Sequence, residues 1–346
     1  MPTETTAASS IVAFTEDPFQ LALVYSYSGH LLRAAARVGL PDAVGDDAPT
    51  VAELAARTGT RPELLRRLLH ALALLGVFRA REEDRYERTA ASDQLREGGL
   101  LAQGLTNDGM WRAWGALDEG TRSGDCPFVA THGEGFYDFL ARDQQQAAAF
   151  HTAMSDDEDR ELRGALIDAV ELRDASRIVD VGGGLGTQLR AILRQHPNLH
   201  GVLFDLESVV ADAVPELRSG EPANRCEIIA GDARQEVPAG ADVYLLTAVL
   251  HNWTDENCVR ILSRCAEAAR PGARILVSEI LIDEVGKSSM EEIMIDLGMF
   301  VLFGARERTE NDFAYLFQKA GLDYNGSVPV MSSFHLLEAR VPARHG

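Results

Sequence analysis

The segment Ile178-Val-Asp-Val-Gly-Gly-Gly-Leu-Gly-Thr187 constrains this chain more than any other. A β-branched apolar run stops at Asp180-Val181. Glycines at 182, 184 and 186 then let the backbone turn sharply and approach a ligand without side chains in the way. An amphipathic stretch follows to Arg194, so the order predicts a strand, a tight loop and the start of a helix. A second apolar run, His200-Gly-Val-Leu-Phe-Asp205, brings a carboxylate to a strand end, where it can accept both hydroxyls of a ribose. Together these features describe a pocket for a nucleoside-bearing cofactor. Dinucleotide loops favour G-x-G-x-x-G with a pyrophosphate on the helix N-terminus. Here the spacing is G-x-G-x-G, Thr187 takes the place of the last glycine, and Asp180 precedes the loop. A cationic ligand suits that approach better than a phosphate.

A chain of 346 residues predicts two domains, or one large domain with an extension. The net charge of -20 argues against nucleic acid as a partner, because phosphate binding needs a basic face that releases counterions. Cys126, Cys226, Cys258 and Cys265 have no metal-ligand spacing, and no metal is expected. The polar, acidic N-terminus lacks a basic leader, and no window reaches the roughly 18 apolar residues of a membrane helix. The expectation is a soluble, cytoplasmic protein with no membrane partner, and disorder over residues 1–12.

Apolar positions recur at helical spacing from Phe19 to Val38. Thr50-Val-Ala-Glu53 reads as a capping box, and Leu64, Leu65, Leu68, Leu69 and Leu72 line one side of a helix from Arg61 to Leu75. A short hairpin with a charged turn follows over 77–88. Helices followed by a hairpin are the order of a winged helix, whose sharp reading is DNA binding. Against it, residues 1–100 hold eleven Arg and no Lys beside fourteen Asp and Glu. Packing against a partner subunit is the better use of so many leucines. We therefore expect a winged-helix-like dimerisation domain over 12–104 and a second domain over 105–346, with a helical connector at 105–172. Beyond residue 176, strands at 177–182, 200–205, 226–230, 242–247 and 274–282 alternate with helices at 186–195, 207–217 and 255–269. That predicts an α/β, doubly wound, largely parallel sheet with ligands at the carboxyl ends of its strands. The last two strands, near 324–330 and 334–341, are joined by too short a turn for a crossover and should pair antiparallel at the edge.

Strand ends are therefore where chemistry should lie: Gly182–Gly186, Asp205, Gly231-Asp232-Ala233, Thr247 leading into Leu250-His-Asn-Trp253, and Ser278-Glu279. His251 follows an apolar strand and precedes a helix cap at Thr254 or Asp255, which opens it onto the cleft. Glu279 on the next strand could accept a proton from His251 Nδ1 and fix its tautomer. Glu307, in Gly304-Ala-Arg-Glu-Arg-Thr309, is either a further partner or an ordinary carboxylate at a helix N-terminus.

These motifs, in this order, resemble those of the plant-type and bacterial small-molecule O-methyltransferases that use S-adenosylmethionine (SAM), and the similarity covers nearly the whole chain. The resemblance implies a Rossmann-like methyltransferase domain, a homodimer formed through the N-terminal domain, and no metal. It implies SAM contacts from Ser155, Gly182, Gly184, Asp205, Leu206, Asp232, Ala233, Thr247 and Trp253. It implies His251 as general base with Glu279 and Glu307 positioning it. Trp111, Phe150, Met154, Asn252, Asp296, Phe300 and Phe303 would then surround a small aromatic substrate. Three departures stand out: Asn252 where Asp is commoner, Ala248 where bacterial members often have Arg, and Ala233 where an aromatic is usual. The implied reaction is methyl transfer from SAM to a phenolic hydroxyl of an aromatic secondary metabolite. The alternative is a SAM-binding homologue that hydroxylates, decarboxylates or cyclises instead. A phenol of pKa about 10 facing an imidazole near 6.5 leaves a gap of about 5 kcal/mol, so His251 serves only if a glutamate raises its basicity or the substrate is acidic.

Overall fold

A computed structural model describes residues 17–96, 100–142, 147, 150, 159–172, 174–283, 288–331 and 333–343. The expected disorder of residues 1–12 lies outside these. The described residues fall into two compact units, one running to Trp111 and the other from Arg112 onward.

In the first unit the helix Pro18–Arg37 starts on an Asp17 cap with proline in its first turn, where the missing N–H costs nothing. Short helices Leu40–Val44 and Val51–Thr58 follow, then Pro62–Leu74. The capping box is present, with Glu53 N–H donating to Thr50 Oγ1 and Thr50 N–H to Glu53 Oε2 at 2.8 Å. Strands β1 (Phe78–Arg81) and β2 (Arg85–Arg88) form the expected antiparallel hairpin. Leu54, Leu65, Leu69, Leu72 and Phe78 close the core. On the helix that a DNA reader would present, Arg66 Nε and Nη2 both donate to Asp84 Oδ2, at 3.0 and 2.7 Å, and Arg61 at its N-cap lies 3.5 Å from Glu63.

The second unit is built on a seven-stranded sheet in the order β5-β4-β3-β6-β7-β9-β8. Its strands are β3 (Arg177–Val181), β4 (His200–Asp205), β5 (Cys226–Ala230), β6 (Val243–Thr247), β7 (Arg274–Ile280), β8 (Asp323–Met331) and β9 (Phe334–Arg340). The first five pair in parallel, while β9 runs antiparallel to both β7 and β8. Val179, Val181, Tyr244, Leu246, Ile275 and Val277 pack on one face with the helices Asp255–Ala268 and Glu310–Lys319. Ile178, Leu203, Val243, Leu245 and Leu276 alternate with them onto the other face, against Asp159–Ala169 and Thr187–Gln195. Burial of both faces is why these strands read as continuous apolar runs. The helix expected over 207–217 is shorter: it ends at Val210, and Pro215 opens a separate 3-10 turn to Leu217, since proline cannot donate into a continuing helix.

Strand order reverses between β3 and β6, which leaves a crevice at their carboxyl ends. Among the described residues no helix is long and apolar enough to cross a membrane.

Candidate active site

The glycine loop leaves β3 at the switch point and meets the segment leaving β6. Gly182 has φ 70°, and a Cβ there would lie 2.7 Å from Val249 Cγ2, so only glycine fits between the two strand ends. Gly184, at φ 59°, has none of the described residues within 4 Å of where a Cβ would be, and its N–H donates to Asp205 Oδ2 at 2.8 Å. Asp205 Oδ1 accepts from Leu206 N–H. Loop and carboxylate are thus one hydrogen-bonded unit. Beside them the buried hydroxyl of Thr247 has no hydrogen-bond partner among the described residues. An open glycine cradle, a strand-end carboxylate and an unpaired buried hydroxyl fit a nucleoside cofactor with a polar tail.

Asp180 is buried and its Oδ2 has no partner among the described residues. Burial, with Asp205's charge adding to it, pushes its carboxyl up to about 7. The acidic approach read from the sequence is therefore a carboxyl held well above the ordinary carboxylate range.

Asp232 is engaged more fully than its sequence suggests. The Arg234 guanidinium forks it, with Nη2 2.7 Å from Oδ2 and Nε 3.0 Å from Oδ1, and Arg234 N–H donates to the same Oδ1. That guanidinium also lies 4.4 Å from the centroid of the Trp253 ring. Ala233 packs against the core cluster below. Nothing in the sequence alone linked Arg234 to both neighbours.

Beyond β6 the chain takes a strained step, Ala248 at φ 52°, into a 3-10 turn, Leu250–Asn252. Asn252 braces the turn by donating from Nδ2 to Ala248 O at 3.3 Å. Thr254 caps the following helix. The His251 side chain is 14% exposed, and its Nδ1 lies 2.7 Å from Glu307 Oε1 and 3.6 Å from Glu279 Oε2. Glu307, read from the sequence as a further partner or a plain helix N-terminal carboxylate, is therefore the one nearer Nδ1, where Glu279 was expected. Glu307 takes the ring nitrogen, and it sits in an extended segment ahead of the Thr309 cap, not on a helix. Glu279 instead accepts three backbone N–H groups on Oε1, from Val249 at 3.0 Å, Leu250 at 2.7 Å and His251 at 3.4 Å. It holds the turn, and the ring only secondarily.

Burial alone would lower the basicity of His251. The charge of Glu279 and the hydrogen bond and charge of Glu307 outweigh it, Arg308 opposes them, and the imidazole is pushed up to about 9. Burial raises the Glu279 carboxyl, with His251 working against it. Donor atoms of His251, Glu279 and Glu307 lie within 4.8 Å of one another, near enough for a metal ion. The hydrogen bond to Nδ1 and the three N–H groups on Glu279 already engage one oxygen of each carboxylate, which suits a proton-handling triad.

Around the triad, Asp296 Oδ1 accepts from Glu307 N–H at 2.8 Å, and burial raises its carboxyl. Phe303 stacks on Tyr137 at 5.4 Å and meets Phe136 edge-on, and Phe150 lies 5.2 Å from Phe136. Phe300 is half-buried on the same helix, Met290–Phe303. Trp111 lies in the first unit, between His30 and the Arg33 guanidinium. Met154 and Ser155 lie outside the described residues.

Arg308, to which the sequence reading assigned no role, is a fully buried guanidinium beside Glu307. Its one signal in the sequence was its place in the 304–309 segment.

Comparisons with known proteins identify the family. A family model for the O-methyltransferase domain matches residues 114–323, and one for the O-methyltransferase dimerisation domain matches residues 20–97. The phenazine O-methyltransferase PhzM of Lysobacter antibioticus is 32% identical over 313 residues, covering 89% of this chain and 91% of that protein. The mitomycin 7-O-methyltransferase MmcR superposes with a TM-score of 0.88 at 33% identity, covering 96% of this chain and 99% of that one. The O-methyltransferase NcsB1 from neocarzinostatin biosynthesis, solved with S-adenosyl-L-homocysteine and 1,4-dihydroxy-2-naphthoic acid, superposes with a TM-score of 0.79 at 29% identity, covering 91% and 96%.

Proposed function

The chain belongs to the O-methyltransferase family, and from that premise we propose that it methylates a phenolic hydroxyl of an aromatic secondary metabolite, with His251 as general base. The enzyme is SAM-dependent, as in the relatives solved with SAM or its product. SAM supplies a sulfonium-activated methyl group when bound. Gly182, Gly184, Asp205 and Leu206 would hold its methionine part and ribose. Thr247 offers the unpaired hydroxyl, and Asp232, Ala233 and Trp253 line the adenine end. Ser155 is the remaining proposed cofactor contact. Phe150, Phe300, Phe303, Asn252 and Asp296 would bound the aromatic acceptor.

The observation that carries this reading is the pair of glutamates on His251. With the imidazole raised to about 9, its gap to a phenol of pKa about 10 shrinks to about one unit, or about 1.4 kcal/mol. Nδ1–H donates to Glu307, which leaves the Nε2 lone pair to accept the phenolic proton. The protein's remaining task is to align the acceptor oxygen with the methyl carbon, since alignment supplies most of the barrier reduction in such a displacement. A retained base with two buried carboxylates supports transfer over a non-methylating reaction.

The exposed Phe19, Leu23, Tyr25 and Tyr27 on the first helix support a homodimer formed through the N-terminal domain. The four free cysteines fit a reducing, cytoplasmic setting. The test is incubation with methyl-13C SAM and a panel of phenolic aromatics that begins with 1,4-dihydroxy-2-naphthoic acid. A labelled methyl ether in the product is expected. SAM binding without transfer to any phenol would overturn the reading.

A further inference from the structure

Arg308 is 1% exposed and among the largest fully buried side chains. A buried guanidinium is costly unless most of its donors are met. Here they are met by the turn that carries His251. Nη1 donates to Leu250 O at 3.0 Å and Nη2 to Trp253 O at 2.8 Å, the carbonyls on either side of the 251–252 pair. Nε and Nη2 both donate to Asp255 Oδ1, at 2.9 and 2.7 Å, where the next helix begins. Nη1 also reaches Arg306 O. The backbone of Arg308 is tied to the strand that carries Glu279, its carbonyl accepting from Ile282 N–H at 3.2 Å.

We propose that Arg308 is a positioning residue for the base, a clamp that grips the carbonyls of the His251 turn while Glu279 grips its N–H groups. Neighbouring side chains of one segment then hold one turn: Glu307 takes the His251 ring by Nδ1, and Arg308 takes the Leu250 and Trp253 carbonyls that flank it. The clamp also sets a charge near the ring. Glu279 faces His251 from β7, Glu307 and Arg308 from the extended segment, and Asp296 and Asp255 stand one contact further out. Among these Arg308 is the cation that opposes the glutamates.

The test needs no methyl acceptor. In the full-length protein with 13C- and 15N-labelled histidine, NMR follows the titration midpoint of His251 and the exchange rate of its Nδ1 proton, with His251→Asn assigning the signals. Arg308→Lys keeps the charge but loses the fork, so the midpoint should stay while Nδ1–H exchange speeds up at least tenfold. Arg308→Gln loses both, and the midpoint should also rise by about one pH unit. The affinity for S-adenosylhomocysteine by calorimetry should stay within threefold in both. Folded variants that lose only melting temperature, with midpoint and exchange unchanged, would reduce Arg308 to a structural filler and overturn the proposal. Should both fail to fold, Asp255→Asn, which frees the guanidinium without removing it, should still speed exchange several-fold. Unchanged exchange there overturns the proposal equally.

Discussion

His251 and Glu307 stand 56 residues apart in the chain and 2.7 Å apart at Nδ1 and Oε1. That contact makes the imidazole a directed base: its proton faces a carboxylate and its free lone pair faces away. Glu279 adds charge from below at 3.6 Å while its other oxygen fixes the turn. The two carboxylates thus do different work on one ring.

The base must be neutral to act, and its basicity is raised to about 9. Activity should therefore fall as pH drops below about 9, with kcat/KM losing close to tenfold per pH unit toward pH 7. His251→Asn should lower kcat by about 10²- to 10⁴-fold and leave S-adenosylhomocysteine affinity nearly intact. A flat pH profile together with a fully active Asn variant would remove His251 from the mechanism.

The glutamates should separate when truncated. Glu279→Ala leaves three N–H groups of a buried turn without an acceptor, each worth about 1–3 kcal/mol, so a large fall in melting temperature is expected. Glu307→Ala removes no backbone bond. It should spare much of the stability and move the acid limb of the pH profile downward, because the ring loses a partner that favours its protonated form. Equal melting temperatures for the two variants would count against this division.

Strand ends were legible because a sheet buried on both faces forces long apolar runs, and whatever polar residue ends such a run lies at the ligand edge. Gly182, Asp205, Thr247, His251 and Glu279 were proposed by that rule, and the structure sets each of them near the end of a strand or just past it. It could not rank Glu279 against Glu307, since which carboxylate meets Nδ1 depends on how a loop distant in sequence is tied beside β7. Arg308 and Arg234 were missed for a related reason. An arginine reads as surface charge until the carbonyls or the aromatic face it covers are known. Proline told against part of a predicted helix at 215, a local signal that the apolar spacing of 207–217 concealed.

The glycine loop offers a contrast between fold and ligand. Gly182→Ala meets both a left-handed backbone and Val249 at 2.7 Å, so it should lose stability well beyond the roughly 1–2 kcal/mol of the backbone cost alone. Gly184→Ala carries a similar backbone cost with open space around the new methyl. That space is where the cofactor is proposed to lie, so its main loss should be in S-adenosylhomocysteine affinity. Calorimetry and melting temperature on the pair check this. Equal affinity losses in two equally stable variants would show that the loop does not divide in this way.

Asp180 gives a prediction in which the sign decides. Its carboxyl is raised to about 7 by burial and by Asp205, against about 3.9 in an unfolded chain. A raised folded value means the neutral form is the favoured native one, so its contribution is present below pH 4 and is lost as pH rises through 7. The full loss is about 4 kcal/mol at most, from three units at 1.36 kcal/mol each. Asp180→Asn cannot ionise, so its stability relative to wild type should improve between pH 5 and pH 8. Cofactor binding should run the other way. A cationic sulfonium favours the ionised carboxylate, so SAM affinity in the wild type should rise with pH across the same window, with proton release visible by calorimetry in buffers of different ionisation enthalpy. The Asn variant should bind SAM more weakly at pH 8 and lose that pH dependence. Identical pH dependence in the two proteins, in both stability and binding, would mean that Asp180 does not titrate in this range.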